Sequence, residues 1–273
     1  MKLTTSLNGV TYRFRGVTDV LAKANEPKAG DRLTGIAAET ATERLAAKVV
    51  LSELTVGDLT ENPTVPFEDD EVTRINWEGL NQPGYRSMKN MTIGELREWV
   101  LDHRTTPDIL RRSGRNFTGE VAAAVAKIMT SMDLVYGASK IHYTTHCNTE
   151  IGQKGSISFR AQTNSTTDDP ETIVLGLAEA VSFGCGDACL GINPVGDDAA
   201  NTKLIAEAVF DFMVRNEIPT QVVVLSHITT QMEAVRRGAP LSMIFQSIAG
   251  TQAANEDFGV NRELIDEAYE LIR

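Results

Sequence analysis

The sequence predicts an α/β protein: a mainly helical N-terminal region with a β-hairpin, followed by the first half of a (β/α)8 TIM-type barrel. From about residue 17 to residue 140, apolar residues recur at helical spacing, whereas short apolar strands alternate with helices after residue 150. Strands that are apolar on both faces and alternate with helices are typical of a parallel sheet with right-handed crossovers. We therefore divide the chain into residues 1–145 and residues 146–273, the latter holding four β/α units.

The composition argues against a nucleic-acid-binding, a membrane-spanning and a secreted protein. The 273 residues are 42% hydrophobic and 23% charged, the profile of a globular protein. The net charge of −11 repels phosphate backbones and argues against a nucleic-acid partner. No apolar run approaches the ~18 residues of a membrane helix, and the N-terminus lacks the apolar core of a secretory signal. Three unpatterned cysteines are typical of a reducing cytoplasm, which is the expected location.

The first region opens with a hairpin. Asn8-Gly9 lies between two alternating segments of residues 3–14, and this dipeptide favours a type I′ turn. Segment Glu61–Gly84 is polar and contains several prolines, which predicts a long surface loop. Helical spacing and threonine caps predict helices over Thr42–Leu54, Thr92–Asp102 and Thr118–Asp133.

The second region alternates strands with helices. The strands are predicted at Ser156–Gln162, Ala188–Asn193, Gln221–His227 and Leu241–Gln246. The helices are predicted at Pro170–Phe183, Asp198–Arg215, Thr229–Arg237 and Asn261–Arg273. Asp169 stands directly before Pro170, where a cap is expected.

Polar residues lie at or just past the predicted carboxyl ends of all four strands. They are Arg160 and Gln162, then Asn193, His227 and Gln246. Strand ends are often polar, but four successive strands that agree favour a site, because parallel α/β proteins place their active sites there. Arg160 and Gln162 are two residues apart, so both point to one face of the sheet.

The stretch "GCGDACLGINPVGDD" could be a thiol site or a phosphate loop. Cys185-x3-Cys189 has no further thiol at ligand spacing, so a packing role is favoured over a metal site. Gly184-x-Gly186 precedes a strand, whereas a dinucleotide-binding loop follows one. We therefore expect these glycines to end the preceding helix and to allow close packing.

Two further polar pairs favour structural roles. His142-x3-His146 could bind a metal on a helix, but its Thr- and Tyr-rich surroundings favour an extended surface segment. Asp197-Asp198 are expected to cap the next helix. No nucleophile–histidine–acid set can be placed.

Several segments closely resemble the ethanolamine ammonia-lyase large-subunit family. They are "SISFRAQTN", "SFGCGDACLGINPVGDD", "IPTQVVVLSHITTQMEAVRRGAP" and "IFQSIAGTQ", with the N-terminal segments "VLAKANEPKAGDRLTGIAAETATERLAAK", "FEDDEVTR" and "GELREWVL". This resemblance implies a (β/α)8 barrel and adenosylcobalamin as cofactor, bound between this subunit and a small subunit. It implies radical conversion of ethanolamine to acetaldehyde and ammonia, oligomers of the large subunit, and a possible location inside a bacterial microcompartment.

The resemblance also implies site residues. By position, Arg160, Gln162 and Asn193 match residues that hydrogen-bond ethanolamine, and Pro194 and Gln246 match residues that contact the cobalamin. His227 matches no such position and is expected to pack at the barrel mouth.

The resemblance points to a longer subunit than this chain. Its second barrel half supplies the acidic residues that hold the substrate ammonium, so we expect the isolated chain to be inactive, because a buried ammonium without carboxylates is costly. The alternatives are a non-catalytic assembly or binding module, and a cobalamin-independent barrel enzyme acting on another small polar substrate.

Overall fold

The computed structural model describes residues 1–273. The chain forms two compact units. The first comprises Met1–Ile141 with Thr251–Ala253, and the second comprises His142–Gly250 with Ala254–Arg273. None of the helices combines the length and the apolar character that crossing a bilayer requires.

The first unit begins with the predicted hairpin. Strands β1 (Thr4–Leu7) and β2 (Val10–Arg13) pair antiparallel, with Leu7 opposite Val10. Asn8 and Gly9 both have positive φ, at 51° and 79°. Positive φ at both central residues defines a type I′ turn, so the prediction from Asn-Gly is confirmed.

Helices build the rest of the first unit. They are α1 (Val17–Lys23), α2 (Ala29–Leu33), α3 (Ala41–Glu53), α4 (Val56–Thr60), α5 (Glu71–Glu78), α6 (Gln82–Met88), α7 (Ile93–Leu101), α8 (Pro107–Ser113), α9 (Gly119–Ile128) and α10 (Ser131–Ser139). Their core includes Val20, Val50, Leu51, Leu59 and Ile93, which are completely buried. The apolar stripes of the longer helices thus meet in one cluster.

Two predictions in this unit are wrong. The expected helix Thr118–Asp133 is two helices, because Met129 is extended (φ −82°, ψ 145°) and Thr130 caps a new helix in a reciprocal capping box. The expected loop Glu61–Gly84 contains α5 and the start of α6. Asp70 caps α5, and Pro83 lies in the first turn of α6, where a proline is tolerated.

The second unit is built on a parallel sheet of three strands. Strands β5 (Arg160–Asn164), β6 (Cys189–Asn193) and β7 (Val222–Val224) lie in sequence order. A short antiparallel hairpin, β3 (Thr145–His146) and β4 (Glu150–Ile151), precedes the sheet. The helices are α11 (Pro170–Ser182), α12 (Ala199–Arg215), α13 (Ile228–Arg236), α14 (Gln252–Asp257) and α15 (Arg262–Ile272), and the first two residues of α14 are assigned to the first unit.

One face of the sheet is covered by helices. Leu190 and Ile192 on β6 point to this face and are completely buried, as are Leu177 on α11 and Ile205 on α12. Gly186, with φ 111°, lies between helix and sheet, where an added Cβ would be 2.9 Å from a Leu190 methyl carbon. The interpretation of Gly186 as a close-packing residue is therefore confirmed.

The histidine and cysteine interpretations also hold. His146 lies in the extended strand β3, so His142 and His146 do not share a helical face. Cys189 is buried, and Cys185 packs against the core of the second unit. Burial raises the pKa of the Cys189 thiol, as expected for a cysteine that packs as a small apolar residue.

The hairpin is held to the amino end of β7 by a buried amide. Gln221 is completely buried, and its Oε1 accepts a hydrogen bond from the Thr149 backbone N–H at 3.1 Å. Its Nε2 donates to Thr149 Oγ1 at 2.9 Å and to the Ala188 carbonyl at 2.7 Å. One side chain therefore joins β6, β7 and the hairpin.

Two predicted strands differ from the structure. The strand expected from Ser156 begins at Arg160, because the Phe159 backbone bonds to the turn at residues 186–188 and not to a ladder. Residues 241–246 form no strand. There the buried Gln231 side chain accepts from Phe245 N and donates to Phe245 O, taking the place of a neighbouring strand. The three parallel strands thus form an open sheet.

Candidate functional site

The sheet face opposite the helices carries polar side chains. Arg160, Gln162 and Asn164 alternate with core residues along β5, so all three project from this face. In the parallel register Gln162 lies opposite Gly191, and Asn164 lies opposite Asn193. The candidate substrate-binding residues Arg160, Gln162 and Asn193 therefore share one face of two adjacent strands.

The long side chain of Arg160 extends along the sheet face to Gln162. It opens β5 and lies opposite Cys189, at the amino end of the pair, so its expected place at the strand's carboxyl end is wrong. Its side chain crosses Gly191, where an added Cβ would lie 3.1 Å from Arg160 Cδ. The guanidinium then donates to Gln162 Oε1. The missing side chain at Gly191 leaves the space that this path requires.

Asn193 has a partner that the strand-end pattern did not single out. Its Nδ2 donates to Asn164 Oδ1 at 2.6 Å. This bond leaves Asn193 Oδ1 available as an acceptor, because each amide offers two donors and one acceptor oxygen. Asn164 continues the two-residue spacing of Arg160 and Gln162, and extending that pattern by one step would have found it.

The turn after Asn193 is held by a carboxylate from the preceding loop. Asp168 accepts hydrogen bonds from Val195 N at 2.8 Å, Gly196 N at 2.7 Å and Asn201 Nδ2 at 2.7 Å. Burial opposes ionisation of Asp168, but these hydrogen bonds outweigh it, and the pKa of Asp168 lies below its usual value. Asp168 was not predicted, and no spacing in the sequence connects it with Val195.

A carboxylate also joins the loop after β6 to the loop after β7. Asp197 Oδ1 accepts from the His227 backbone N–H at 3.1 Å, so Asp197 does not cap a helix as expected, whereas Asp198 does cap α12. His227 Nδ1 contacts Thr229 Oγ1 at 2.8 Å, and Nε2 lies 2.9 Å from the Phe258 carbonyl. Since Nδ1 also accepts from Thr229 N, the proton belongs on Nε2. His227 therefore caps α13 rather than only packing.

The candidate cofactor-binding residues lie on different loops. Pro194 is half-buried and follows Asn193 directly. Gln246 accepts from Ile228 N at 3.2 Å, at the start of α13. Pro194 therefore belongs to the loop after β6, whereas Gln246 is bonded to the loop after β7.

The donor set of this face determines what it can do. It offers one guanidinium and three amides, which can hydrogen-bond to the hydroxyl or amine of a small polar molecule. No group of three His, Cys, Asp or Glu side chains in the chain could hold a metal ion. Val195, Ile248 and Phe258 are exposed apolar residues outside the helices and strands of the second unit.

These features define a class: a parallel α/β protein whose sheet carries a polar face beside the loops that follow its strands. The family model "Ethanolamine ammonia lyase large subunit (EutB)" matches residues 12–273. The chain is 47% identical over 268 residues to the ethanolamine ammonia-lyase large subunit of Escherichia coli (strain K12). The identity to the large subunit of Salmonella typhimurium is also 47% over 268 residues.

The chain belongs to the ethanolamine ammonia-lyase large-subunit family. Each alignment covers 98% of this chain and 59% of the relative. The chain therefore spans about three fifths of the length of these relatives.

Proposed function

We propose that this chain is a portion of the large subunit of an adenosylcobalamin-dependent ethanolamine ammonia-lyase, which converts ethanolamine to acetaldehyde and ammonia. The observation that carries the proposal is the shared face of Arg160, Gln162 and Asn193 in a chain of this family. In this proposal residues 146–273 are the first four β/α units of a barrel, and residues 1–145 are the helical region before it.

The three side chains have different roles in substrate binding. Arg160 supplies a guanidinium with several N–H donors, so it can hold the substrate hydroxyl. Gln162 Oε1 accepts a hydrogen bond from Arg160, and this bond leaves the NH2 group of Gln162 for the ligand. Asn193 donates to Asn164, which directs its Oδ1 to the ligand. Together they provide cationic, donor and acceptor contacts for an amino alcohol.

Pro194 and Gln246 are the residues proposed to contact adenosylcobalamin. When bound, this cofactor supplies the radical chemistry of the reaction. The chain's part is to hold the substrate and to exclude water, for which the exposed apolar loop residues Val195 and Phe258 are suited. A small subunit, and further copies of the large subunit, are the proposed protein partners. The three cysteines are free thiols, which supports a cytoplasmic location.

Cobalamin binding and turnover test this function separately. The chain would be prepared alone, and also with the remaining family sequence and the small subunit. Adenosylcobalamin should change its visible spectrum on adding ethanolamine only in the complete complex, and only that complex should release acetaldehyde. Arg160→Met should lower kcat/KM by at least about a hundredfold. The matched control Arg215→Met removes an exposed charge of α12 and should have little effect.

The outcomes distinguish the alternatives. Absence of corrin binding by the complete complex would contradict the proposal and favour a cobalamin-independent enzyme or an assembly module. Robust turnover by the chain alone would contradict the expectation that the isolated chain is inactive.

A further inference from the structure

We propose that Asp168 is a positioning residue that fixes the turn carrying Asn193 and Pro194, and thereby the polar face to which the substrate binds. This inference deepens the proposed function and rests on it for its consequence for substrate. The observation itself is a contact between two loops. Asp168 belongs to the loop after β5, and its bonded partners Val195 and Gly196 belong to the loop after β6.

The contacts form a closed network. Both carboxylate oxygens of Asp168 are used: Oδ1 and Oδ2 lie 2.8 and 2.9 Å from Val195 N, and Oδ2 also accepts from Gly196 N. Asn201, in the first turn of α12, donates its Nδ2 both to Asp168 Oδ2 at 2.7 Å and to the Gly196 carbonyl at 3.0 Å. The turn at Val195 and Gly196 is therefore bound to the preceding loop and to the following helix.

Only an ionised carboxylate suits this position. All three partners of Asp168 are N–H donors, and a carboxylate is an acceptor at both oxygens. Asparagine would turn an NH2 group towards one or more of these donors. Asp168 also has φ 53°, a left-handed conformation that aspartate tolerates better than most residues. With this backbone conformation, the Asp168 carboxylate lies within hydrogen-bond distance of the turn.

The neighbouring aspartate has a different role and provides a matched control. Asp169 accepts from Thr172 N at 2.9 Å and caps α11. It makes no contact with the turn at residues 194–196. Asp169→Asn therefore removes the same charge one residue away and leaves the contacts of Asp168 in place.

Hydrogen exchange of the protein tests the contact without reference to activity. In Asp168→Asn the amides of Val195 and Gly196 should exchange at least about tenfold faster, since charge-assisted hydrogen bonds to both are lost. In Asp169→Asn their exchange should stay unchanged, because asparagine keeps a cap oxygen for Thr172 N and the contacts of Asp168 are retained. If Asp168→Asn fails to fold, Asn201→Ala provides the milder test, with the same amides expected to exchange faster. Unchanged exchange at Val195 and Gly196 in folded Asp168→Asn would overturn the proposal.

Steady-state kinetics of the complete complex tests the consequence. Asp168→Asn should raise KM for ethanolamine about tenfold and change kcat by less than about threefold, because substrate contacts are loosened while the reacting groups are intact. Asp169→Asn should keep both values. An unchanged KM in Asp168→Asn would overturn the link to substrate. If the unsubstituted complex shows no lyase turnover, the proposed function fails, and hydrogen exchange still decides whether Asp168 fixes the turn.

Discussion

Replacing Gly191 by alanine tests whether the path of the Arg160 side chain governs substrate binding. An added Cβ would lie 3.1 Å from Arg160 Cδ and 3.5 Å from Arg160 Cγ and a Leu225 methyl carbon. Carbon atoms in contact prefer about 3.5–4.0 Å, so Cδ has to move by about 0.5 Å. The guanidinium lies beyond Cδ, so it should be displaced by about 1 Å from its position beside Gln162 Oε1. A misplacement of this size can reduce turnover by up to a hundredfold.

The same substitution should hardly change stability. The obstacle is a flexible, exposed side chain, and replacing a strand glycine by alanine restricts the unfolded chain, a gain of about 0.4–1 kcal/mol. We expect a change in the free energy of unfolding within about 1 kcal/mol, measured by urea denaturation. The assays are therefore kcat/KM of the complete complex, which should fall about ten- to a hundredfold, and the urea midpoint, which should hardly move.

Gly176→Ala, in helix α11 packed on the opposite face of β5, is the matched control. Its Cβ would lie 3.0 Å from Thr163 Cγ2, within the helix–sheet packing. Thr163 is β-branched and cannot rotate away freely, so overpacking of about 1–3 kcal/mol opposes a helix-propensity gain of about 1 kcal/mol. Gly176→Ala should therefore lower stability and leave kcat/KM unchanged. Full activity of folded Gly191→Ala would refute the reasoning about Arg160.

Three further predictions concern polar groups buried away from the site. Gln221→Leu should destabilise the second unit by about 2–4 kcal/mol in urea denaturation, because Thr149 N–H and the Ala188 carbonyl lose their partner, whereas the exposed Gln153→Leu should not. Lys140→Met should cost about 1–3 kcal/mol, because Lys140 Nζ donates to the carbonyls of Val100 and Asp102 at the end of α7; exposed Lys154→Met is the control. Burial, and a hydrogen bond to Glu61, raise the pKa of Tyr85 to about 12. Stability from this shift is complete below about pH 10, the unfolded value, and is lost as the pH rises to about 12. Ultraviolet titration of the phenolates should therefore show one late step that Tyr85→Phe removes and Tyr143→Phe retains.

The sequence correctly predicted those turns and helix starts that depend on a few neighbouring residues. The type I′ turn followed from Asn8-Gly9, and the caps Thr92, Asp169 and Asp198 followed from short side chains before apolar periodicity. The apolar pattern continues through Met129, so periodicity alone predicted one helix. The structure has two, because the backbone is extended at Met129 and Thr130 caps a second helix. Residues 241–246 have the composition of a strand, but strand formation requires a ladder, and Gln231 occupies that position. Tertiary contacts of this kind leave no periodic mark in the sequence.

Site residues that follow from the alternation of side chains along a strand were predictable from the sequence. Site residues that depend on tertiary contacts were not. Arg160 and Gln162 share a face because β side chains alternate, and Asn164 follows from the same rule. Gly191 is identifiable only once the register places it beside Gln162, in the path of Arg160. Asp168 lies 27 residues before Val195 along the chain, so only the fold brings them together.

The loops after the strands are connected by side chains that bind the backbone of a neighbouring loop. Asp168 holds the turn after β6, Asp197 from that turn holds His227 N, and Gln246 holds Ile228 N. Each of these loops is therefore hydrogen-bonded directly to the next. This series of hydrogen bonds runs from the turn that follows Pro194 to Gln246.

The polar face itself is already internally hydrogen-bonded. Arg160 bonds to Gln162, and Asn193 bonds to Asn164. A ligand that binds these groups replaces hydrogen bonds within the protein and with water, so the net gain is only about 0.5–1.5 kcal/mol for each amide contact and about 1.5–3 kcal/mol for the guanidinium contact. Three such contacts define an orientation for an amino alcohol but give weak affinity. An ammonium gains much more from a carboxylate, since charge-assisted bonds are about twice as strong as neutral ones. Under the proposed function this face would orient the substrate, and strong binding would require carboxylates, which are absent from the four side chains Arg160, Gln162, Asn164 and Asn193.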